Sequence, residues 1–392
     1  MLCQLDNPRF YLGRQESYLW AVTQGSMELL RLPAESEVRE DVKRFREAII
    51  SDVSSSHGAH MSGPAEEPAG EKLGADLYQH LFGSFDAADA AKTSWLLSLD
   101  GALFEVPFAA LVSGYENGRP VYAAERHSSQ RIPGALFLNG FLSSGTAGPG
   151  GYLAVGDPVY NSADPRRNSD PRWNMTWGPR MPAEIHVGTH EDRGELNRLV
   201  NSAHELQRSL PSWQADTGAA RPIQILEGTG AQRDAFLEGL TAAPSTIHLA
   251  THVLTPAVRF SETQAGQAFL AFSLDPSGQP GLLSTSDVGM LHVPGALVVM
   301  TGCATDAGQF QSGAGLLGLT RAWIMAGARV VLATSWPVPD ADGDLIPDFY
   351  RYLRANSAAE ALRRSQVELI HSGSWQAAPS YWAAFQVTGG GR

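Results

Sequence analysis

The second half of the chain alternates short apolar runs with helical patterns, and this alternation constrains the fold more than any other feature. From residue 152 onward, runs such as "YLAVG", "TIHLA" and "ALVVM" are short and continuously apolar, and segments of helical spacing separate them. Buried strands joined by helices are typical of a parallel sheet covered by helices on both faces. The sequence therefore predicts a mostly parallel α/β fold in this region.

The first part of the chain has a different pattern. Residues 10–33 alternate apolar and polar side chains around a Gln-Gly pair, as in a β-hairpin, and residues 34–50 have the spacing of an amphipathic helix. Residues 51–72 are rich in Ser, Gly, Pro and Glu, which predicts a mobile loop. The runs "SWLLSLDG" and "LFEVPFAALV" indicate two strands joined at Asp100-Gly101.

A glycine-rich stretch at residues 143–151 marks the boundary between these two patterns. We therefore expect a smaller α+β region at residues 1–148 and a mostly parallel α/β domain at residues 149–392.

Composition excludes several classes of protein. The formal net charge of the 392 residues is −12, and no basic patch offsets it, so we expect no nucleic-acid partner. Cys3 and Cys303 are too few for a disulfide framework, and no Cys/His cluster has zinc spacing. No apolar run approaches the ~18 residues of a membrane span, and "MLCQLDNPRF" lacks a signal-peptide pattern. We expect a cytoplasmic protein without a membrane span.

Two of the predicted strands end close to residues with proton or sulfur chemistry. "IHLATHV" ends near His252 and "ALVVMTGC" ends at Cys303, so both side chains are expected at the carboxyl rim of the sheet, where ligands bind in such folds. An imidazole within hydrogen-bond reach activates a thiol as a nucleophile. Backbone N–H groups of Val253 and Cys303 are expected to bind the oxyanion. The 51-residue separation resembles the interval of about 50 residues in caspases.

The plainer alternatives stay open from these residues alone. A free cysteine after a strand is most often a small buried apolar residue, and a single histidine is usually structural. His248 lies two residues before His252 on the same face of the strand and is the rival for the base.

Several blocks resemble the CHAT family, caspase-like peptidase domains of the same clan as caspases, gingipains and separase. The sharpest are "HLATHV", "ALVVMTGCATDAG", "GAGLLGLTRAWIMAGARVVLATSWPVPD" and "FYRYL"; "YLGRQESYLWAVT", "LPAESEVREDVKRFREAI" and "LLSLDGALFEVPFAALV" resemble the family's amino-terminal half. The resemblance implies a caspase-like fold with His252 and Cys303 as the catalytic dyad and no cofactor. It also implies a degenerate caspase-like scaffold in the first half, and a regulatory protein or tetratricopeptide-repeat segment outside this chain.

The chain departs from the family's pattern at three places. Val253 stands where a glycine usually follows the histidine, and a valine does not easily adopt positive φ. Ala304 replaces a common glutamate after the cysteine, and Asp306 stands where glycine is frequent. These departures put the oxyanion hole and the rate of cleavage in question, whereas both members of the dyad are present.

The resemblance also implies where a substrate side chain binds. The candidates that we assign to substrate binding are Asp157, Asp306, Trp336, Asp340 and Asp342. "SWPVPD" resembles a separase pattern whose aspartate recognises arginine, and a carboxylate there favours Arg or Lys through charge-assisted hydrogen bonds. The alternative is that these aspartates cap helices and turns. "DADGD" does not fit an EF-hand, and a weaker calcium site stays open.

The sequence therefore predicts a cysteine endopeptidase that cleaves protein or peptide substrates, with a basic residue before the scissile bond as a further expectation. One alternative is a catalytically inactive caspase-like domain that binds peptides. A thiol hydrolase acting on small esters or amides is another.

Overall fold

A computed structural model describes residues 5–6, 8–23, 25–55, 69–85, 90–132, 150–169, 196–215, 221–254, 268–301 and 314–390. In the first part of the chain these residues form strands β1 Leu5–Asp6, β2 Arg9–Tyr11, β3 Ser17–Val22, β4 Met27–Leu32, β5 Ser94–Leu97, β6 Val112–Glu116, β7 Arg119–Tyr122 and β8 Ser128–Arg131. The helices of this part are α1 Glu35–Ser55, α2 Ala69–Phe82 and α3 Ala123–Arg126.

The middle of the chain alternates strands with helices, as its sequence predicts. The strands are β9 Tyr152–Pro158, β10 Ile223–Gly228, β11 Thr246–Ala250, β12 Val253–Leu254, β13 Phe269–Leu274, β14 Pro280–Ser284, β15 Leu297–Met300 and β16 Val330–Thr334. The helices are α4 Pro165–Ser169, α5 Val200–Gln214, α6 Arg233–Leu240, α7 Thr285–Gly289 and α8 Ala314–Met325. The last part contains α9 Leu345–Leu353, α10 Ala358–Ile370, α11 Pro379–Trp382 and β17 Phe385–Gly389.

By compactness the chain forms two units. Unit 1 contains Met1–Ser143 together with Asp344–Arg392, and unit 2 contains Ser144–Gly343. The domain boundary after residue 148, which the sequence predicts, stays a prediction.

Unit 2 is built on a parallel sheet in the order β16-β15-β11-β9-β10, and a separate antiparallel sheet, β12-β13-β14, extends from it. β9 and β11 are buried at every position, because helices of this unit pack against them. Continuous apolar strands are needed where both sheet faces are covered. The predicted mostly parallel α/β fold is confirmed.

Unit 1 has a parallel sheet in the order β1-β5-β8-β17, a three-stranded antiparallel sheet β2-β3-β4 and a hairpin β6-β7. The alternating pattern of residues 10–33 therefore forms antiparallel strands, as predicted. Phe82 packs against the rings of Phe10, Trp95 and Phe108, at centroid distances of 6.2, 4.7 and 6.3 Å. This smaller α+β region has its own aromatic core.

Two local predictions for unit 1 are wrong. The segment "LFEVPFAALV" is not a strand but two 3₁₀ turns, Gly101–Glu105 and Phe108–Ala110. Pro107 between them has no N–H for a sheet ladder, and the two turns still bury Leu103, Val106 and Leu111. The loop predicted from Ser51 to Lys72 is also shorter, because α1 continues to Ser55 and α2 begins at Ala69; residues 56–68 lie outside the described part.

The core of unit 2 lies between its sheet and helices α6 and α8. Phe236 on α6 and Phe272 on β13 pack at a centroid distance of 5.2 Å, and Trp323 on α8 is fully buried with them. The core therefore joins the antiparallel β13 to the helices that cover the parallel strands.

We expect Phe236→Ala to lower the free energy of unfolding by about 3–5 kcal/mol, because it removes a buried ring and leaves a cavity. Met290→Ala, at a side chain that is 78% exposed, is the matched control and should cost less than about 0.5 kcal/mol. Urea unfolding of both variants measures the difference. Equal losses in the two would contradict this account of the core.

Candidate active site

His252 lies at the carboxyl end of the parallel sheet of unit 2, two residues after β11 ends. His252 is 2% exposed. The backbone N–H donates to the hydroxyl of Tyr160 at 3.2 Å, and the backbone carbonyl accepts from the N–H of Ala271 at 3.0 Å. The backbone of the candidate base is therefore held from β13 and from the segment after β9.

The hydroxyl of Tyr160 belongs to a chain of hydrogen bonds in which each hydroxyl accepts from one neighbour and donates to the next. It accepts from the N–H of His252, so its own proton is directed to the hydroxyl of Thr251, 2.6 Å away. Thr251 in turn donates to the carbonyl of Ala271. Burial raises the pKa of Tyr160 far above its ordinary value, so the phenol stays protonated and the chain of donors persists at neutral pH.

The imidazole of His252 is oriented by the main chain. Its Nε2 lies 2.7 Å from the carbonyl oxygen of Asn197. Because a carbonyl only accepts, Nε2 carries the proton, and in the neutral ring the lone pair is on Nδ1. The ring of Tyr160 packs beside the imidazole at a centroid distance of 4.9 Å. Nδ1 is therefore the basic nitrogen of the neutral ring.

Asn197 is held in place by its neighbour. Arg198 makes a bidentate ion pair with Asp157, with Nε to Oδ1 at 2.8 Å and Nη2 to Oδ2 at 2.6 Å, and Arg166 reaches the same carboxylate at 2.8 Å. Asp157 lies in the buried strand β9 with φ of 44°, and its N–H donates to the hydroxyl of Ser202 at 2.7 Å. Asp157, predicted to bind substrate, thus anchors the segment that orients His252.

The rival histidine is part of the core. His248 is fully buried, with Nδ1 2.8 Å from the hydroxyl of Tyr152 and Nε2 3.0 Å from a carboxylate oxygen of Glu205. The hydroxyl of Thr301 donates to the same carboxylate oxygen. His248 therefore connects β9, β11, β15 and α5.

Asp340 lies close enough to His252 for the two charges to interact. The N–H of Asn201 donates to its carboxylate at 3.1 Å, and the Asn201 amide donates to its backbone carbonyl at 2.7 Å. Burial raises the pKa of Asp340, and the nearby Glu205 acts in the same direction, while His252 acts against it. This carboxylate is half-buried beside the imidazole and caps the start of α5.

The other predicted substrate residues have different surroundings. Asp342 pairs with Arg208 of α5 at the surface. Trp336 is fully buried, so it packs beneath the rim. Cys303 and Asp306 lie outside the described residues.

The backbone of Val253, a predicted oxyanion donor, is unstrained and leaves its N–H outside the ladder with β13. Positive φ among the described non-glycine residues occurs only at Asn117, Asp157 and Ala243, so the valine is unstrained. Ala271 donates to the carbonyl of His252, and paired types alternate along an antiparallel ladder. Val253 and Leu270 therefore form a non-hydrogen-bonded pair, and the N–H of Val253 points away from β13.

Sequence reasoning missed Tyr160, Asn197 and Arg198. Tyr160 follows a buried strand by two residues, as His252 does, and that position is the signal that was available. Asn197 acts through its backbone carbonyl, which no residue type reveals.

Within the described part of the chain no three His, Cys, Asp or Glu side chains form a metal-binding group. Its helices also include none long and apolar enough to cross a bilayer.

Unit 2 thus has a parallel α/β sheet with a histidine at its carboxyl rim. A model of the CHAT domain matches residues 71–390, and the chain belongs to the CHAT domain family. The resemblance seen in the sequence is confirmed.

The individual relatives have low sequence identity to this chain. The chain is 26% identical over 330 residues to human tetratricopeptide repeat protein 28 and 25% identical to the mouse protein. Each match covers 75% of this chain and 12% of the relative. Among solved structures, the Arg-specific cysteine proteinase gingipain R aligns over 91% of this chain and 74% of its own, at 10% identity and a TM-score of 0.43. A complex of the Porphyromonas gingivalis RgpB pro- and mature domains aligns at 9% identity, with 91% and 76% coverage and a TM-score of 0.40.

We expect Arg198→Ala to release the Asn197 carbonyl from the imidazole, because it removes both hydrogen bonds to Asp157. The Nε2 proton of His252 should then exchange with water about tenfold faster or more, since a hydrogen bond to a charged group contributes about 1.5–3 kcal/mol. Proton NMR of the labelled imidazole measures this rate. Arg208→Ala removes a surface pair with Asp342 and is the control. An unchanged rate in Arg198→Ala would show that the anchor does not position the ring.

Proposed function

We propose that the chain is a cysteine endopeptidase domain in which His252 is the general base and Cys303 the nucleophile. The observation that supports this most strongly is the register of two neighbouring strands. Along β11 and β15, Thr246 faces Leu297 and Leu249 faces Met300, so facing residues are 51 positions apart. The same offset separates His252 from Cys303.

The register continues to the end of the described strand, because the N–H of Thr301 donates to the carbonyl of Leu249 at 3.1 Å. Cys303 follows Thr301 by two residues, a length of chain that spans at most about 7 Å. Neighbouring strands are about 4.8 Å apart. These lengths support a thiol within reach of the imidazole on the same rim.

The reaction follows from the ring's orientation. Nδ1 of His252 accepts the thiol proton, and the thiolate sulfur attacks the carbonyl carbon of the scissile peptide bond. The resulting imidazolium gives this proton to the leaving amine, the C–N bond breaks, and a thioester remains. Water then loses a proton to Nδ1 and attacks the thioester, which releases the acid and restores the thiol. The N–H groups of Val253 and Cys303 are the proposed oxyanion donors.

Asp340 is the residue to which we assign recognition of a basic substrate side chain. Its carboxylate is half-buried beside His252, and within the described residues it forms no ion pair with an arginine. Asp157 already binds Arg198 and Arg166. A buried carboxylate that gains a guanidinium or ammonium forms a charge-assisted hydrogen bond, so Arg or Lys before the scissile bond is the proposed preference.

The relatives suggest a setting for this activity. Both matched proteins are named for tetratricopeptide repeats, and the chain spans 12% of their length. We infer that a repeat segment or a separate regulatory protein controls access of a peptide substrate to the rim. We also place the domain in the cytoplasm, as its two cysteines suggest.

Cleavage of a peptide library by the wild-type chain and by two variants tests the proposed mechanism. We expect Cys303→Ala to abolish cleavage and His252→Ala to lower kcat/KM by about 10²–10⁴-fold. A chloromethyl-ketone probe should label Cys303 in the wild type and label His252→Ala far more slowly. Cys3→Ser, which changes the other cysteine, is the control and should behave as wild type.

The outcomes separate the alternatives. Binding of peptides without cleavage, with Cys303 no more reactive than an ordinary thiol, would favour the inactive binding module. Hydrolysis of small esters alone would favour a non-peptidase thiol hydrolase. Undiminished cleavage by Cys303→Ala would contradict the assigned nucleophile.

The assigned specificity predicts a selective effect of Asp340→Asn. We expect kcat/KM for substrates with Arg or Lys before the scissile bond to fall about tenfold or more, because a hydrogen bond to a charged group contributes about 1.5–3 kcal/mol. Substrates with a neutral residue there should change little. Asp342→Asn, at a surface ion pair, is the matched control. A uniform loss over all substrates would show that Asp340 does not recognise the side chain.

A further inference from the structure

Unit 1 contains a small cavity that the proposed peptidase function does not use. It lies between helix α10 and the face of the sheet formed by β8 and β17, and it has a volume of about 20 Å³. Its polar lining consists of His127, Ser129, Arg131, Arg363, Gln366 and Gln386. None of the described residues that line it is acidic.

Arg131 brings a buried positive charge to this cavity. The residue is 7% exposed, and its Nη2 donates to the carbonyl of Val106 at 2.9 Å. Its Nε is buried and makes no hydrogen bond. A guanidinium has five N–H donors in a fixed plane, and the buried Nε–H of this side chain lacks an acceptor. Burial lowers the pKa of Arg131 to about 9, which leaves it protonated at neutral pH.

The second arginine of the cavity has its own counter-ion. Arg363 makes two hydrogen bonds to Glu360, at 2.7 and 2.8 Å. Arg364 also contacts this carboxylate, at 2.9 Å, whereas no carboxylate among the described residues pairs with Arg131. A buried charge is strongly destabilising unless a group of opposite charge compensates for it. The cavity therefore has the electrostatics of a site for an anion.

The polar lining of the cavity at His127 is neutral, unlike the lining at Arg131. Nδ1 of His127 is 2.6 Å from the carbonyl of Lys92 and so carries the proton, which leaves the lone pair on the buried Nε2. Burial lowers the pKa of His127 to about 4, so this ring is neutral near pH 7 and has no charge that attracts an anion. His127 and Arg131 are about 13 Å apart along the chain direction of a strand. An anion is thus expected at the Arg131 end.

We propose that this cavity binds a small monovalent anion, a halide or a carboxylate of formate size, beside the guanidinium of Arg131. A buried water needs about 10–15 Å³, so about 20 Å³ accommodates chloride or formate but not sulfate. The site lies in the unit that does not contain His252, so the proposal goes beyond the peptidase activity and is independent of it.

Urea unfolding of the full chain in sodium chloride and in sodium gluconate, at the same ionic strength, tests the proposal. An anion that binds only the folded state raises the ratio of folded to unfolded protein about 100-fold at 100 times its dissociation constant. We expect such a rise with chloride and with formate, but not with sulfate. Arg131→Met should lose the rise, and Arg14→Met, at an exposed arginine, should keep it.

Chloride-35 NMR provides a readout on the wild-type protein, so the test does not depend on the folding of the variant. We expect excess line broadening that formate displaces and sulfate does not. The same anion dependence in Arg131→Met would show general screening and overturn the proposal. No broadening and no anion dependence in the wild type would show that the cavity holds water only, which also overturns it.

Discussion

The candidate site depends on the register between β11 and β15. In a parallel pair a shift of one residue moves every side chain to the other face, so the register decides which residues after the two strands can meet. The constant offset of 51 positions is fixed by buried pairs, among them His248 with Val299 and Leu249 with Met300. Packing of the core, well below the rim, thus determines which pair of residues the rim presents.

Buried polar groups supplement this register close to the site. His248, Glu205 and Thr301 form a hydrogen-bonded link between β11, α5 and β15. Tyr160 and Thr251 fix the backbone of His252 through donors whose direction is set by the carbonyl of Ala271. Each of these groups is satisfied within unit 2, which keeps the cost of burying them low. The backbone carbonyl of Asn197 holds the imidazole of His252 in one tautomer.

The sequence predicted the part of the fold built from continuously apolar runs that alternate with helical patterns. β9, β11, β15 and β16 are almost fully buried, and the helical patterns between such runs predicted a parallel sheet covered on both faces. The prediction failed at "LFEVPFAALV", where an apolar run around Pro107 folds into 3₁₀ turns. A short apolar run does not by itself distinguish a strand from a buried turn, because both structures bury the same side chains.

Within the site, residue type predicted only those groups that act through a distinctive side chain. His252 could be found because an imidazole at a strand end is unusual. The role of Asn197 depends on its carbonyl, and that of Arg198 on a partner 41 positions away, so neither leaves a pattern in the sequence. Asp157 was found for its carboxylate, but the charges that occupy that carboxylate became visible only in the folded chain.

The central claim is that positions 252 and 303 meet at the rim, and disulfide trapping tests it directly. Two cysteines form a disulfide when their Cα atoms are about 4.4–6.8 Å apart, a range that includes the spacing of neighbouring strands. In a Cys3→Ser background, His252→Cys should cross-link to Cys303 under mild oxidation, and peptide mass spectrometry identifies the bond. Failure to cross-link, while both thiols react freely with a small alkylating reagent, would contradict the account.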